Sequence, residues 1–396
     1  MFPFKAQHSP TLTVPIYAAA GGDMSLFPLR GIDWGKGGSA VGNILDYLAW
    51  RGDLSLAQAP FGPADALALA ALSYIPFDGL VGAAEPPVPL GQAARAWLSL
   101  PPSRREGRRD HDPDLLRALG TAPRFGRMGL CCYASRFLPQ EETQFAALTA
   151  LMGDGSAFLA FRGTDGTLVG WKEDFNLSFL DVVPAQRAAA AYIEAVAAGF
   201  SGPLVLGGHS KGGNLAVAGA SLCPVRVRDR IRTVYAFDSP GFTDYILSRP
   251  GYQELRTRIR AFLPQSSVVG LLLDHQEPYT VVQSDQEGLF QHDLYSWQLS
   301  GAAFVQLEQV DEGSRMLDHT LKGWLAGLTC QQRETVADTL YELLSSGDAR
   351  TVREALEPKN LAGALRSALD VDPGDLLTLA ASLARLAGAV LRFLPR

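Results

Sequence analysis

A chain of 396 residues is longer than one hydrophobic core usually serves, so one large domain with a substantial appendage, or two domains, is expected. With 47% hydrophobic and 19% charged residues, the composition is that of a packed globular protein and excludes a disordered one. A formal net charge of −6 gives no electrostatic reason for a nucleic-acid partner.

The cysteines, Cys131, Cys132, Cys223 and Cys330, form no Cys-x-x-Cys pair and no zinc-spaced set with a histidine. A protein without metal or cofactor, with reduced thiols and a cytoplasmic setting, is therefore expected. The opening Met1-Phe2-Pro3-Phe4-Lys5 lacks the charged and apolar regions of a signal peptide. No run of about 20 uncharged apolar residues suggests a spanning helix. Leu376 to Leu394 comes closest, but Arg385 and Arg392 interrupt it. It reads as an amphipathic packing helix, with peripheral membrane contact as the alternative.

In chain order, residues 1 to about 40 hold many Gly and Pro and read as an irregular arm. Asn43 to Trp50 predicts a short helix, and Ala64 to Tyr74 a stronger one. Residues 85 to 113 contain Pro86, Pro87, Pro89, Pro101, Pro102 and the run RREGRRDHD, a pattern expected of a linker. Its Arg104, Arg105, Arg108 and Arg109 are interleaved with acids and read as a solvated loop. Farther on, the apolar runs AFLAFR (157–162), LVLGG (204–208), TVYAF (233–237) and RAFL (260–263) predict buried strands. Helices are expected between them over Gln140 to Met152, Pro184 to Phe200 and Gly213 to Leu222. That alternation predicts a doubly wound, mostly parallel α/β sheet. After Gln309 the pattern is helical: Met316 to Leu328, Gln331 to Ser345, Ala349 to Leu356 and Leu361 to Leu369. The expected division is residues 1–115, an arm with helices and linker; 116–310, the α/β core; and 311–396, a helical C-terminal region.

The most informative segment is Gly207-Gly208-His209-Ser210-Lys211-Gly212-Gly213 between an apolar strand and an Ala-rich helix. A nucleophile elbow needs this order: its serine sits in a strained turn, flanked by small residues that let strand and helix approach. Ser210 is the expected nucleophile, and the N–H of Lys211 would face a developing oxyanion. No G-x-x-x-x-G-K-[ST] pattern supports a phosphate-binding turn. A second oxyanion donor is expected from Thr164 in Arg162-Gly163-Thr164-Asp165, after the strand AFLAF, with Trp171-Lys172-Glu173-Asp174-Phe175 bracing that loop.

A serine needs a base, and the base an orienting acid. The order Ser, acid, His leaves His275, His292 and His319 as candidates; His292, in a loop beyond the last strands, ranks first. His209 precedes the nucleophile and reads as support for the turn. For the acid, Asp238 at the tip of the next strand leads, with Asp274 and Glu277 behind it; an Asx turn is the alternative role for Asp238. Asp293 adjoins His292, but neighbouring side chains on an extended segment point apart.

AFRGTD, WKEDF and GGHSKGGNLA together resemble the class 3 lipase group of α/β-hydrolases. The resemblance is closer to its Mbeg1-like branch, through YLAWRGDLSL (47–56), FDSPGF (237–242), PQSSVVGLLL (264–273) and QHDLYSW (291–297). It implies an α/β-hydrolase fold and a lipase- or esterase-like site on Ser210, Asp238 and His292. Class 3 lipases tend to place their acid on a later strand; here Gln265-Ser266-Ser267-Val268 holds no carboxylate, which leaves Asp238, as in the Asp-Pro segment of pancreatic-type lipases.

The expected function is cleavage of a small-molecule or lipid ester through an acyl-enzyme. A catalytically silent scaffold that binds or regulates is the rival, and acyl transfer a third reading. Thr243 to Arg256 is either a lid or a helix on the sheet.

Overall fold

The computed structural model describes residues 33–34 and 40–391, apart from 84, 106–108, 348 and 356. The arm expected over residues 1 to about 40 lies almost wholly outside these. β1 (Asp33–Trp34) and β2 (Ala40–Gly42) pair antiparallel and lead into α1 (Ile44–Arg51). Asn43 caps α1: its side chain accepts from Leu45 N–H at 2.8 Å, while Asp46 accepts from Asn43 N–H at 2.8 Å. Two N-terminal donors are thus satisfied reciprocally. α2 (Pro63–Leu72) is buried on every side from Ala64 to Leu72, as befits a helix at the centre of a core.

The stretch expected to be a linker instead holds β3 (Val88–Pro89) and α3 (Leu90–Leu98). Leu90, Ala93, Ala94 and Trp97, spaced i, i+3, i+4, i+7, bury one face of α3. The prolines flank it, at Pro89 before its first residue and at Pro101 after its last, so they bound the helix without breaking it. The nearby arginines are not all solvated either, because Arg109 pairs with Asp293 at 2.5 Å. α4 (Asp112–Thr121) follows.

β4 (Gly129–Leu138) and β5 (Thr143–Leu151) are antiparallel neighbours. The helix expected over Gln140 to Met152 is therefore a strand. Its run TQFAALTAL is buried on both faces between β4 and β6 (Ala157–Phe161), and such a short apolar run carries no period that separates strand from helix. Next come α5 (Leu168–Asn176), α6 (Pro184–Gly199), β7 (Leu204–His209), α7 (Lys211–Leu222) and α8 (Val225–Arg228). β8 (Ile231–Phe237), α9 (Asp244–Leu247), α10 (Pro250–Leu255), β9 (Ile259–Pro264) and β10 (Tyr279–Val282) complete the core alternation. Three short strands, β11 (Leu299–Ser300), β12 (Ala303–Phe304) and β13 (Gln306–Leu307), close this part of the chain.

Among the described residues the main sheet has nine strands in the order β13-β10-β9-β8-β7-β6-β5-β4-β3. β6 to β10 run parallel, and antiparallel neighbours extend the sheet on either side. A smaller sheet orders β1-β2-β11-β12. The two faces separate by alternation. In β6, Phe158 and Ala160 join α1 to α4 in one core, while Ala157, Leu159 and Phe161 join α6, α7 and α10 in the other. A parallel centre covered by helices on both faces is the α/β-hydrolase arrangement. Register then gathers the strand ends: Phe161 pairs with Gly208, and His209 with Phe237. Whatever follows β6, β7 and β8 emerges at one edge.

Burial decides between a lid and a packed helix for residues 243–256. Tyr252 of α10 is 0% exposed and packs on Phe242 at 5.7 Å, so α10 lies on the sheet beside α7. The C-terminal helices α11 (Glu312–Ala326), α12 (Cys330–Ser345), α13 (Val352–Ala355), α14 (Pro358–Ser367) and α15 (Pro373–Leu391) attach chiefly through α5. Lys172 bonds Glu142 at 2.7 Å and Asp338 of α12 at 2.9 Å, and lies over the Tyr341 ring. Leu168 N–H donates to Arg350 and Val352 N–H to Gly166, adding strand-like support ahead of α5.

Two buried polar clusters tie helices to the loops beside them. Arg124 and Asp65, 4% and 1% exposed, meet through two 2.6 Å bonds. The remaining guanidinium donors reach the carbonyls of Leu54, Ser55, Ala59 and Pro60, and Tyr47 donates to Asp65. Removing one partner strands the other charge in the core. Arg124→Ala is expected to destabilise the fold by about 3–5 kcal/mol, measured by urea unfolding, and a loss under ~1 kcal/mol would contradict this account.

Glu277 forms the second cluster: it accepts from Tyr252 of α10 and pairs with His275 at 2.8 Å. Burial pushes its carboxyl upward, but the bonds from His275 and Tyr252 outweigh it and leave Glu277 below the usual carboxylate range. A depressed folded value stabilises above the unfolded value of about 4.3 and fades as pH falls through the folded one. Wild-type melting temperature should therefore drop below about pH 4.3 more steeply than that of Glu277→Gln, as followed by circular dichroism.

Candidate active site

β7 ends at His209 and α7 begins at Lys211, leaving Ser210 alone between them with φ 59° and ψ −135°. A non-glycine residue in this conformation is held at a cost of about 1–3 kcal/mol, so its surroundings must over-determine it. They do so at close range. Ser210 N–H donates to Phe237 O at 2.9 Å, and its carbonyl accepts from Gly213 N–H at 3.0 Å. A Cβ on Gly208 would strike the Gly212 backbone, and one on Gly212 would strike Phe161 O. Strand, helix and the neighbouring β6 thus touch backbone to backbone around the turn.

Asp238 follows β8 directly, also at positive φ (43°), and is 1% exposed. Its Oδ1 accepts from Ser267 Oγ at 2.5 Å and from Gly270 N–H at 3.0 Å, and its Oδ2 meets His292 Nδ1 at 2.6 Å. Both other partners of this carboxyl are donors, and with the Nδ1 hydrogen directed at Oδ2 the His292 Nε2 is left as the acceptor. The stretch Gln265 to Val268, which carries no acid, supplies the serine that anchors one. Among the described residues, Ser210 Oγ makes no hydrogen bond to His292 Nε2.

His209 links nucleophile and histidine loop in another way. Its Nε2 lies 2.8 Å from the His292 carbonyl, and its Nδ1 2.9 Å from Tyr74 Oη. Since a carbonyl only accepts, Nε2 carries a hydrogen, and the Tyr74 hydroxyl also donates to the His209 carbonyl at 3.3 Å. The two imidazoles stand 4.5 Å apart. No sequence signal pointed to Tyr74, which lies 135 positions away from its partner.

The loop after β6 lies against the elbow: a Cβ on Gly163 would stand 2.7 Å from His209 O and 3.2 Å from Ser210 Cβ. Thr164 follows, 9% exposed, its hydroxyl donating to Asp174 at 2.6 Å. Lys211, the first residue of α7, has no helical partner for its N–H by position. Its side chain runs inward and is fully buried against Glu173. WKEDF therefore braces this region through Glu173 and Asp174.

The other candidates lie elsewhere. His275 and Glu277 are engaged with each other and with Tyr252. Asp274 is exposed and faces Lys322 at 3.8 Å. Asp293 is held by Arg109, and His319 sits on α11. No group of three or more His, Cys, Asp or Glu among the described residues is arranged to hold a metal ion.

The family model described as Mbeg1-like matches residues 119–342, more than half of the chain. No curated protein matches. Among solved structures, the chain is similar to the Rhizomucor miehei lipase propeptide complex at 14% identity and TM-score 0.31, over 49% of this chain and 64% of that one. The aligned part thus falls short of two thirds of that chain. It is also similar to a Penicillium cyclopium MDLA mutant (15%, TM-score 0.36, 63% and 86%). A lipase from Rhizopus microsporus var. chinensis gives 10%, TM-score 0.32, 52% and 72%. The family match includes β6, the elbow, Asp238 and His292, and on it the chain belongs to the Mbeg1-like family.

Proposed function

We propose that the protein is a serine hydrolase that cleaves carboxylic esters through an acyl-enzyme. The observation that carries this reading is the 2.6 Å bond between buried Asp238 and His292, at the same sheet edge as the strained Ser210. Ser210 Oγ attacks the acyl carbonyl as His292 Nε2 takes its proton, and Asp238 stabilises the imidazolium. The oxyanion is held by the N–H groups of Lys211 and Thr164, the first of them at the positive end of α7. Collapse expels the alcohol, protonated by His292, and water repeats the sequence to release the acid. In serine hydrolases the serine–histidine bond commonly tightens in the complex with substrate.

A lipid-type acyl ester is the substrate class favoured, because Leu289 and Phe290, 67% and 76% exposed, lie on the turn that carries His292. Peripheral membrane contact through this turn fits the same observation. The cytoplasm is the proposed compartment, supported by four free cysteines. No helix among the described residues is long and apolar enough to cross a membrane.

A fluorophosphonate probe tests the nucleophile without a chosen substrate. The expected adduct is at Ser210 and is lost in Ser210→Ala; a folded wild type that never labels would favour a silent scaffold. Given turnover of a short ester, Asp238→Asn should lower kcat on the order of 10³- to 10⁴-fold with KM nearly constant, because the wrong histidine tautomer is then favoured. A kcat within threefold of wild type would remove Asp238 from the mechanism.

A further inference from the structure

We infer that the buried Lys211–Glu173 ion pair is a positioning clamp that sets the spacing of the two oxyanion donors, the backbone N–H groups of Lys211 and Thr164. The inference rests on the hydrolase reading for its chemistry and on the structure for its geometry.

A lysine at this place in the chain is unexpected on energetic grounds. It is the first residue of α7, where the helix dipole disfavours a cation. Both charged side chains are 0% exposed, Nζ 2.9 Å from Glu173 Oε2. Taking two charges out of water costs several kcal/mol per ion, and an apolar pair of similar volume often serves stability as well. Stability alone therefore does not explain the pair.

Its connections suggest what does. Glu173 Oε2 also accepts from Gln144 N–H at 3.1 Å, and Oε1 from Ala185 N–H at 2.8 Å. Lys211 Nζ reaches Gln144 O at 3.2 Å as well. The pair is thereby fastened to β5 of the main sheet and to the start of α6, which packs on one face of it. The next residue of α5, Asp174, accepts the Thr164 hydroxyl at 2.6 Å. Consecutive carboxylates of one helix thus hold the side chains of the two residues whose N–H groups flank the carbonyl oxygen. A shift of α5 displaces both, and a directional charge-assisted bond resists that shift where apolar packing would allow sliding. Oxyanion donors act only within narrow distance limits, and misplacement by about 1 Å can cost on the order of 10²-fold in rate.

The test compares wild type with Lys211→Met/Glu173→Leu, which replaces the pair by apolar side chains, and with Lys211→Arg, which keeps the charge and changes its reach. Hydrolysis of a short ester gives kcat and KM, and amide hydrogen exchange reports on residues 162–168 and 210–213 without requiring turnover. In the folded double variant, kcat should fall roughly 30- to 100-fold with KM within twofold, as expected for donors that act only in the transition state. Exchange in both segments should rise, and Lys211→Arg should fall between the two on both measures. Wild-type kcat and wild-type exchange in the folded double variant would overturn the clamp. If that variant does not fold, Lys211→Arg decides: lower kcat at constant KM with faster exchange supports the clamp, and unchanged values refute it. A wild type that neither labels at Ser210 nor turns over esters would refute the hydrolase reading separately, and the exchange result would then decide the clamp alone.

Discussion

Backbone contact around Ser210 is the constraint on which the rest of the site depends. Gly208 and Gly212 bring β7, α7 and the end of β6 closer than any side chain allows, and the strain of Ser210 is the consequence. Because β6, β7 and β8 are in parallel register, a turn fixed to β6 on one side and to Phe237 on the other has little room to relax. The strain is sustained by the sheet's two buried cores, which hold the three strands from both faces.

The polar interactions divide between two sides of that turn. On one side, Asp238 is set by Ser267 and Gly270 and in turn sets His292, while His209 and Tyr74 fasten the His292 backbone to the turn after α2. On the other, α5 holds Thr164 and Lys211 through adjacent carboxylates. Every member is buried or partly buried, where an unmatched charge is costly and a matched one is directional. The C-terminal helices contact the second side, through Lys172 and the strand-like bonds to Gly166 and Leu168. They bear on the loop that carries Thr164, and the histidine side is instead tied to the N-terminal part of the chain through Tyr74 and the Arg109–Asp293 pair.

The sequence by itself determined the features that depend on local chemistry. Ser210 was readable because an elbow demands glycine at fixed offsets between an apolar strand and a helix, and those residue types leave few alternatives. The strands AFLAF, LVLGG and TVYAF were readable because a centre buried on both faces must be apolar throughout. The pattern of α3 was present too, at Leu90, Ala93, Ala94 and Trp97, but the prolines around it outweighed the period; they bound that helix and do not interrupt it.

Only the tertiary structure decided what depends on partners distant in sequence. TQFAALTAL is a strand because β4 and β6 lie on either side of it, a fact its composition cannot carry. Asp238 ranks ahead of Asp274 in sequence only by its place after a strand; in the fold Ser267 and Gly270 converge on the first, and Lys322 faces the second. Tyr74, 135 positions before His209, and Glu173, 38 before Lys211, are joined to the elbow across the fold. A hydrogen bond or buried ion pair between such residues leaves no period or spacing in the chain, because its geometry is set by packing of whole elements and not by neighbours along the backbone.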